Sequence, residues 1–304
     1  MKKCLILCLV LLICSPARAW WDAGHMVVAM IAYRHLSEPA RAKADQLTKV
    51  LQRDYPYLNH FSTLGPWPDD LKAEGVTLYS PMHYTNLPYN PRGVALPPQP
   101  KVNIVWAIDE ALKVLRSPKA RDIEKARQLG FLVHFTGDLH QPLHTTSYYT
   151  NDRPSGNRGG NDFPISTFGK WRNLHSLWDD GCGYLSAYND INPYGDPKES
   201  LLAEEVQRLE QLARQIEQQH PKESLQECWI LDRDFWVLEG HKLAIRYGYE
   251  GVQKKGENGW DQRIKPNDAP SEYYLEQGQK VVQRRLALAG YRLAELLNEA
   301  FGEE

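Results

Sequence analysis

The sequence lacks an excess of basic residues. Residues 1–19 hold Lys2, Lys3 and Arg18 and no acid, so 33 of the 36 basic residues remain beside 38 acidic ones, a net charge of −5. A protein of this balance does not hold duplex DNA by bulk electrostatic attraction. Any chemistry on nucleic acid would depend on local cations, and metal ions are the obvious candidates.

The sequence also has few cysteines. After residue 19 only Cys182 and Cys228 remain, and a single separated pair lacks the CxxC spacing of many structural zinc sites. In an oxidising compartment two such cysteines tend to pair, so we predict a Cys182–Cys228 disulfide that stabilises the fold by about 4 kcal/mol. Zinc ligation by the two thiolates is the alternative.

The N-terminal apolar run is too short to span a membrane comfortably. It follows two lysines and ends at Ala17-Arg18-Ala19, whose small residues fit cleavage by signal peptidase just before Trp20. A lipid anchor on Cys14 is less favoured, because Ile13 is bulkier than the residue that usually precedes such a cysteine. We therefore predict a signal peptide over residues 1–19 and export to the periplasm or the medium.

Strand patterns and internal repeats are nearly absent, whereas apolar residues recur with helical spacing along most of the chain. The pattern predicts one compact all-α domain over residues 20–304. Helices are predicted over 24–36, 37–55, 67–75, 102–115, 121–141, 201–219, 225–247 and 271–301. The proline-rich stretch 82–100 is predicted to be extended, and 147–170 to be a long ordered loop of the kind that often carries function.

One stretch combines metal-binding side chains with a helix break. His134–His144 reads HFTGDLHQPLH, so His134 and Asp138 share one helix face and could bind one metal ion. Pro142 interrupts the helix and places His144 on a different backbone direction.

A second pair, His175 and Asp179, repeats the four-residue spacing in NLHSLWDDG. A single such pair is more often a surface hydrogen bond. Two pairs and a third histidine within 46 residues favour a metal cluster, since one carboxylate can bridge two ions.

Five short motifs, taken in order, resemble the trinuclear-zinc single-strand nucleases, the family of mung bean nuclease, whose members are also 3′-nucleotidases. They are W-x4-H from Trp20, W-x-D ending at Asp69, HY at His83, HxxxD-x5-H from His134 and HxxxD from His175. Together they supply nine ligand positions, and the resemblance is looser beyond Asp179. The fold it implies is the all-α one shared with zinc-dependent phospholipase C.

The resemblance implies three Zn²⁺ ions per chain. One would be held by Asp69, His83, His134 and Asp138. A second would be held by the free amino group and carbonyl of Trp20 with His25, and Asp138 would bridge it to the first. The third would be held by His144, His175 and Asp179.

The resemblance also implies substrates and residue roles. Single-stranded DNA and RNA would be cleaved internally to 5′-phosphorylated products, and 3′-nucleotides would be hydrolysed. Lys72, Asn161 and the ligand Asp69 would act in catalysis, with Asn161 also near the phosphate, while Tyr84 would stack on a base. From the residues alone, Lys72 could instead be a solvated lysine and Asn161 a turn residue.

Two other functions remain open at this point. A zinc-dependent phospholipase C would carry a similar cluster, but its last ligand is typically glutamate where this chain has Asp179, and its first Trp and His are spaced more widely. An exported zinc-binding protein without turnover would need closed coordination, which these partial ligand sets do not provide. We expect a monomer without stable membrane association.

Overall fold

The computed structural model describes residues 20–167, 170–191, 193, 203–251 and 264–302. Within these ranges the chain is built mainly of helices, as the sequence predicts. The α-helices are α1 (Asp22–Arg34), α2 (Glu38–Gln52), α3 (Trp67–Ala73), α4 (Ile104–Arg116), α5 (Asp122–His140), α6 (Leu174–Asp179), α7 (Ala203–Gln219), α8 (Arg233–Leu243) and α9 (Glu272–Phe301). Short 3₁₀ turns include Phe61–Leu64, Ser80–His83, Pro142–Thr145, Gly181–Gly183 and Gln226–Trp229, and Ala244–Tyr249 is a π-helical turn.

Helices α1, α5 and α9 form the centre of the molecule. α1 packs against α9, α7 and α5, and α5 also packs against α4 and α2. Every residue of α5 from Leu129 to His140 is buried, so this helix has no solvent face in its second half. Gly290 lets α9 approach α1 closely, because a Cβ there would lie 2.5 Å from Ile31. The core therefore surrounds the HFTGDLH stretch of α5.

Local sequence signals explain where several helices begin and end. Ser37 caps α2 by accepting from Ala40 N, and Asn103 caps α4 by accepting from Trp106 N. α5 ends at His140, and Pro142 opens a 3₁₀ turn, so the predicted break is confirmed.

One predicted helix starts later than expected. The prediction for residues 225–247 had a single helix, but 3₁₀ turns occupy its first residues and α8 begins at Arg233. Asp232 fixes this start, because its side chain accepts from the backbone N–H groups of Asp234 and Phe235. The short helix α6 was not predicted. It is capped by Asn173, whose side chain accepts from Ser176 N.

Two short strands pair across 59 residues of sequence. β1 (Leu87–Tyr89) and β2 (Thr146–Tyr148) run parallel, with Leu87 opposite Thr146. β2 starts two residues after His144. The described residues of the loop that follows it, 149–167 and 170–173, are held by turns and by isolated bridges such as Thr150 to Arg153. The pairing ties the proline-rich segment to the end of α5.

The predicted disulfide between Cys182 and Cys228 is wrong in this structure, where both cysteines are buried free thiols. Cys182 lies against Gly278, where an added Cβ would meet its Sγ, whereas Cys228 follows Glu227, whose carbonyl binds Arg292. Fourteen residues separate these two positions on α9, roughly 21 Å along the axis. A disulfide requires Cα atoms within about 7 Å, so the two thiols are too far apart to bond.

No helix among the described residues is long and apolar enough to cross a membrane. The predicted signal peptide, residues 1–19, lies outside the described residues, so both that prediction and the 20–304 domain boundary stay predictions.

Candidate metal centre

α5 places His134 and Asp138 one turn apart at the centre of the fold. Both side chains are fully buried, and His134 Nε2 lies 3.1 Å from Asp138 Oδ2. His134 donates its Nδ1–H to the carbonyl of Gly65 at 2.6 Å, which fixes the ring and directs Nε2 toward the carboxylate. Such a bond from the second ring nitrogen is typical of metal-binding histidines.

α1 brings His25 against this pair. The His25 ring stacks on the His134 ring at 4.0 Å, and its Nε2 lies 3.3 Å from Asp138 Oδ1. The close approach needs Gly137, since a Cβ there would lie 2.7 Å from His25 Nδ1. Trp20 is buried beside them and donates its indole N–H to the carbonyl of Gly137 at 2.8 Å.

Asp69 and His83 complete the cluster from the other side. Asp69 lies in the first turn of α3, and His83 ends a 3₁₀ turn. His83 Nδ1 lies 3.7 Å from Asp69 Oδ1, 3.1 Å from Asp138 Oδ2 and 3.0 Å from His134 Nε2. One carboxylate oxygen of Asp138 therefore lies near His25 and the other near His83, as expected of a ligand that bridges two metal ions.

A third group forms where the chain leaves α5. His144 donates its Nδ1–H to the carbonyl of His83, and His175 donates its Nδ1–H to the carbonyl of Gly159, each at 2.7 Å. Their rings stack at 4.9 Å, and Asp179 lies 3.9 Å from His144 Nε2 and 3.6 Å from His175 Nε2.

Gln141 is a site residue that the sequence reasoning missed. Its buried side chain donates Nε2–H to Asp179 Oδ1 at 2.7 Å, while its Oε1 accepts from Leu143 N. The amide thus holds a carboxylate of the third group in place. Its position in the HQPLH run, between α5 and His144, is the only sequence signal that could have indicated it.

The structure thus gathers eight of the predicted ligand side chains into three groups whose ligand atoms lie within 4.8 Å of one another. The groups are His25, His134 and Asp138; Asp69, His83 and His134; and His144, His175 and Asp179.

Several of these buried polar atoms have no hydrogen-bond partner within the described part of the chain. They include His25 Nε2, Asp69 Oδ1, His83 Nε2, Asp138 Oδ1 and His144 Nε2. A buried polar atom without a partner is costly, and metal coordination would supply the missing interaction. The set contains only imidazole and carboxylate donors, which fits the hydrolytic use of zinc. The residues therefore fit metal ions.

Burial and neighbouring charges set the protonation of the groups. Burial lowers the pKa of His25 to about 4 and of His175 to about 3, so both rings keep a lone pair at neutral pH. Burial alone would raise the pKa of Asp138, but His134 and His144 hold it well below its usual value. This carboxylate is therefore ionised, as a metal ligand must be.

The other predicted site residues lie around the cluster. Lys72 is half-buried on α3. Burial and His144 lower the pKa of His175, and the charge of Lys72 adds a smaller decrease. Burial raises the pKa of Asp179 well above its usual value, and Lys72 opposes that rise. Asn161 is half-buried and donates its Nδ2–H to the carbonyl of Arg158, which is a turn contact. Tyr84, next to His83, keeps 39% of its surface exposed.

The fold and the site define a class of protein: an all-α protein with a buried histidine–carboxylate centre of hydrolytic metal type. The family model described as "S1/P1 Nuclease" matches residues 20–302. The chain therefore belongs to the S1/P1 nuclease family, and it is a nuclease, a hydrolase of phosphodiester bonds.

Named relatives agree with this placement. The chain is 26% identical over 296 residues to Endonuclease 2 of Arabidopsis thaliana, covering 93% of this chain and 91% of that protein. It is 24% identical over 297 residues to Nuclease S1 of Aspergillus oryzae, covering 92% and 91%. It is 26% identical to Nuclease P1 of Penicillium citrinum over 171 residues, covering 53% and 57%.

Proposed function

We propose that this nuclease is an exported three-zinc enzyme that cleaves single-stranded DNA and RNA internally to 5′-phosphorylated products and also acts as a 3′-nucleotidase. The observation that carries the proposal is the set of unpaired, buried imidazole and carboxylate atoms in three adjoining groups. Zinc ions held there would activate water and neutralise charge on the phosphate and leaving oxygen.

The residues of the chain have separate tasks in this proposal. Asp138 lies between the first two groups and Asp179 in the third, so their carboxylates would balance part of the metal charge. Lys72 stands close enough to the third group to affect its titration and would bind a phosphate oxygen. Asn161 would donate to the same phosphate if its side chain released the carbonyl of Arg158.

Tyr84 supports the preference for single strands. Its partly exposed ring follows directly after His83, and its carbonyl accepts from Ile104 N at 3.2 Å, which fixes its backbone at the start of α4. An aromatic ring beside a hydrolytic centre can stack on an unpaired base, whereas duplex bases are already stacked on one another.

The deciding experiment assays the chain starting at Trp20, loaded with zinc, on single-stranded DNA, single-stranded RNA, duplex DNA, a 3′-nucleotide and phosphatidylcholine. We expect release of 5′-phosphorylated products from both single strands and of phosphate from the 3′-nucleotide, abolished by chelator and restored by zinc. Release of phosphocholine with intact nucleic acid would instead support the phospholipase alternative. Stoichiometric zinc binding with no turnover on any substrate would support the zinc-binding protein.

The role of Trp20 has its own test. A Gly-Ser extension before Trp20 would replace the free amino group by an amide, which binds zinc poorly. We expect the zinc content to fall from three to two per chain and most activity to be lost. Three zinc ions and full turnover in the extended chain would remove Trp20 from the ligand set. N-terminal sequencing of protein recovered outside the cytoplasm tests export and cleavage before Trp20.

A further inference from the structure

Asp180 is a buried carboxylate that the proposed chemistry does not use. It directly follows Asp179 in the NLHSLWDDG stretch, it is fully buried, and it belongs to none of the three ligand groups. Burial of a carboxylate is costly unless hydrogen-bond donors surround it. The chain supplies these donors from two segments outside α6.

Three side chains donate to the two oxygens of Asp180. The Trp171 indole N–H donates to Oδ2 at 2.8 Å, and the Ser186 hydroxyl donates to the same oxygen. Asn189 donates its Nδ2–H to Oδ1 at 3.0 Å. Lys170 supports this set, because its Nζ donates to the Ser186 hydroxyl at 2.8 Å and lies 4.3 Å from the centre of the Trp171 ring. The carboxylate thus connects the segment before α6 and the turn after it to the end of that helix.

The backbone at the end of α6 is also bonded on both sides. Asp180 is the C-cap residue, and its carbonyl accepts from Gly183 N at 3.0 Å and from Leu185 N at 3.2 Å. Trp21 N donates to the carbonyl of Asp179 at 3.2 Å. The last turn of α6 is therefore held between the start of α1 and the turn that follows Asp180.

α6 is too short to hold two ligands by itself. It has six residues, whereas isolated helices shorter than about 12–15 residues are marginal in water. Leu174, Leu177 and Trp178 are buried and fix which face of α6 meets the core. The hydrophobic effect is non-directional, so this packing leaves the angle about the helix axis loosely defined. Hydrogen bonds are directional, and those to Asp180 define that angle.

The angle matters because the side chains of Asp179 and Asp180 leave α6 in different directions. Asp179 lies 3.6 Å from His175 Nε2 and 3.9 Å from His144 Nε2, whereas Asp180 contacts Trp171. At the outer radius of a helix, about 5–6 Å, a rotation of about 10° moves a side chain by about 1 Å. Metal ligands must be held within about 0.5 Å of their working geometry. A rotation of α6 would therefore disturb the third group.

We propose that Asp180 is a positioning residue of the third ligand group. Its hydrogen bonds fix the rotation of α6, so that His175 and Asp179 present their ligand atoms to one metal ion. The proposal rests on the proposed three-zinc function. Asp180 itself touches neither metal nor substrate.

Asp180→Asn is the main test. The amide keeps the shape of the carboxylate but turns an N–H₂ group toward atoms that are already donors. In the full chain starting at Trp20, competition with a chelator of known affinity measures the three zinc affinities. We expect one of them to fall by about 10-fold and the other two to stay within a factor of two.

Asp190→Asn is the matched control. Asp190 lies on the same stretch of chain, but its side chain is 63% exposed and its partner is Arg208 at the surface. We expect all three zinc affinities to stay unaltered. A loss in Asp190→Asn equal to that in Asp180→Asn would overturn the proposal, because any disturbance of this stretch would then suffice.

A second comparison separates positioning from general packing. His175→Ala removes a ligand of the third group, so two zinc ions should remain. Adding Asp180→Asn to this variant should leave both remaining affinities within a factor of two, because the role of Asp180 acts only through α6. A further fall in those two affinities would assign Asp180 to general packing and overturn the proposal.

Ser186→Ala keeps the test decisive if Asp180→Asn does not fold. It removes one donor to Asp180, and we expect the same zinc affinity to fall by about 3-fold. Three bound zinc ions with an unaltered third affinity would count against the role of Asp180. A wild-type chain that binds no zinc would count against the proposed function instead.

Discussion

Two buried polar clusters lie on different faces of the last turns of α5, and their atoms are paired very differently. On one face, which we call the metal face, Asp138 contacts His134 and His25. Several side-chain atoms on this face have no hydrogen-bond partner within the described part of the chain. On the other, the arginine face, His140 meets Arg285 and Arg292 from α9 and Glu239 from α8. Burial alone does not tell the two clusters apart.

On the arginine face the hydrogen bonds are satisfied. His140 donates to the Thr136 carbonyl and accepts from Arg292 at 2.9 Å, while Arg285 donates to the His140 carbonyl at 3.0 Å. Both arginines bind Glu239 Oε2, at 3.1 and 2.7 Å. Burial and the two arginines hold the pKa of His140 well below its usual value, so the ring is neutral. The arginine face is structurally complete, whereas the metal face requires a ligand.

Asp138→Asn tests the metal face and should have the largest effect. The amide keeps the shape of the carboxylate but removes the charge that two groups share, so we expect activity to fall about 1,000-fold or more. Metal analysis should show two of the three proposed zinc sites weakened. In the metal-free protein His134 and His144 stabilise this charge against burial, so the free energy of unfolding should fall as well. A loss confined to one zinc would contradict the bridging role.

Arg285→Met tests the arginine face. Removing one member of a buried charged network is expected to lower the free energy of unfolding of the metal-free protein by about 3 kcal/mol, which is roughly 150-fold in the unfolding equilibrium. The measurement is denaturant unfolding in the presence of chelator. Arg284→Met is the control, since its ion pair with Glu227 is partly exposed and should contribute less than about 1 kcal/mol. Equal losses in the two variants would remove the distinction between the faces.

Gln141→Ala tests how the metal face is supported. Loss of the hydrogen bond to Asp179 frees the carboxylate to rotate, so we expect zinc affinity at the third group to fall by about 10- to 100-fold. Competition with a chelator of known affinity measures this change. Gln279→Ala, which removes a bond to the Cys182 carbonyl away from the ligands, should leave the affinity unaltered.

Tyr84→Ala tests a contact that needs no metal and should have the smallest effect. We expect KM for single-stranded DNA to rise about 10-fold while kcat stays within a factor of two, because only stacking is lost. Leu78→Ala, at a 74% exposed apolar residue of the same segment, is the control. An unchanged KM in Tyr84→Ala would assign that ring to packing.

The metal face could be predicted where its residues are local in sequence. His134 with Asp138, and His175 with Asp179, are fixed by helix geometry once the helices form. The all-α fold followed from apolar periodicity and was confirmed. The resemblance named His25, Asp69 and His83, which no local spacing would have joined.

The arginine face could not be predicted from local spacing, because its residues are far apart in sequence. His140 lies in the same run as the metal-binding residues, and Arg285 reaches it from 145 residues further along. The β1–β2 pairing is equally non-local. The disulfide prediction was wrong because it relied only on the number of cysteines and on an oxidising compartment. In the structure the two cysteines lie beside positions of α9 that are too far apart for their thiols to bond.

The dispersal of the metal-binding residues also links folding to metal supply. Eight side chains between His25 and Asp179 converge only after six separate stretches of chain have packed, so the unfolded chain offers no more than isolated pairs. Metal would therefore bind the native state almost exclusively, and each occupied site would add stability by mass action, about 2.7 kcal/mol at a free metal concentration of one hundred times Kd. The fraction of the protein that is folded would then depend on the zinc concentration around it. Zinc scarcity would lower activity in two ways, by unfolding the protein and by emptying the catalytic site.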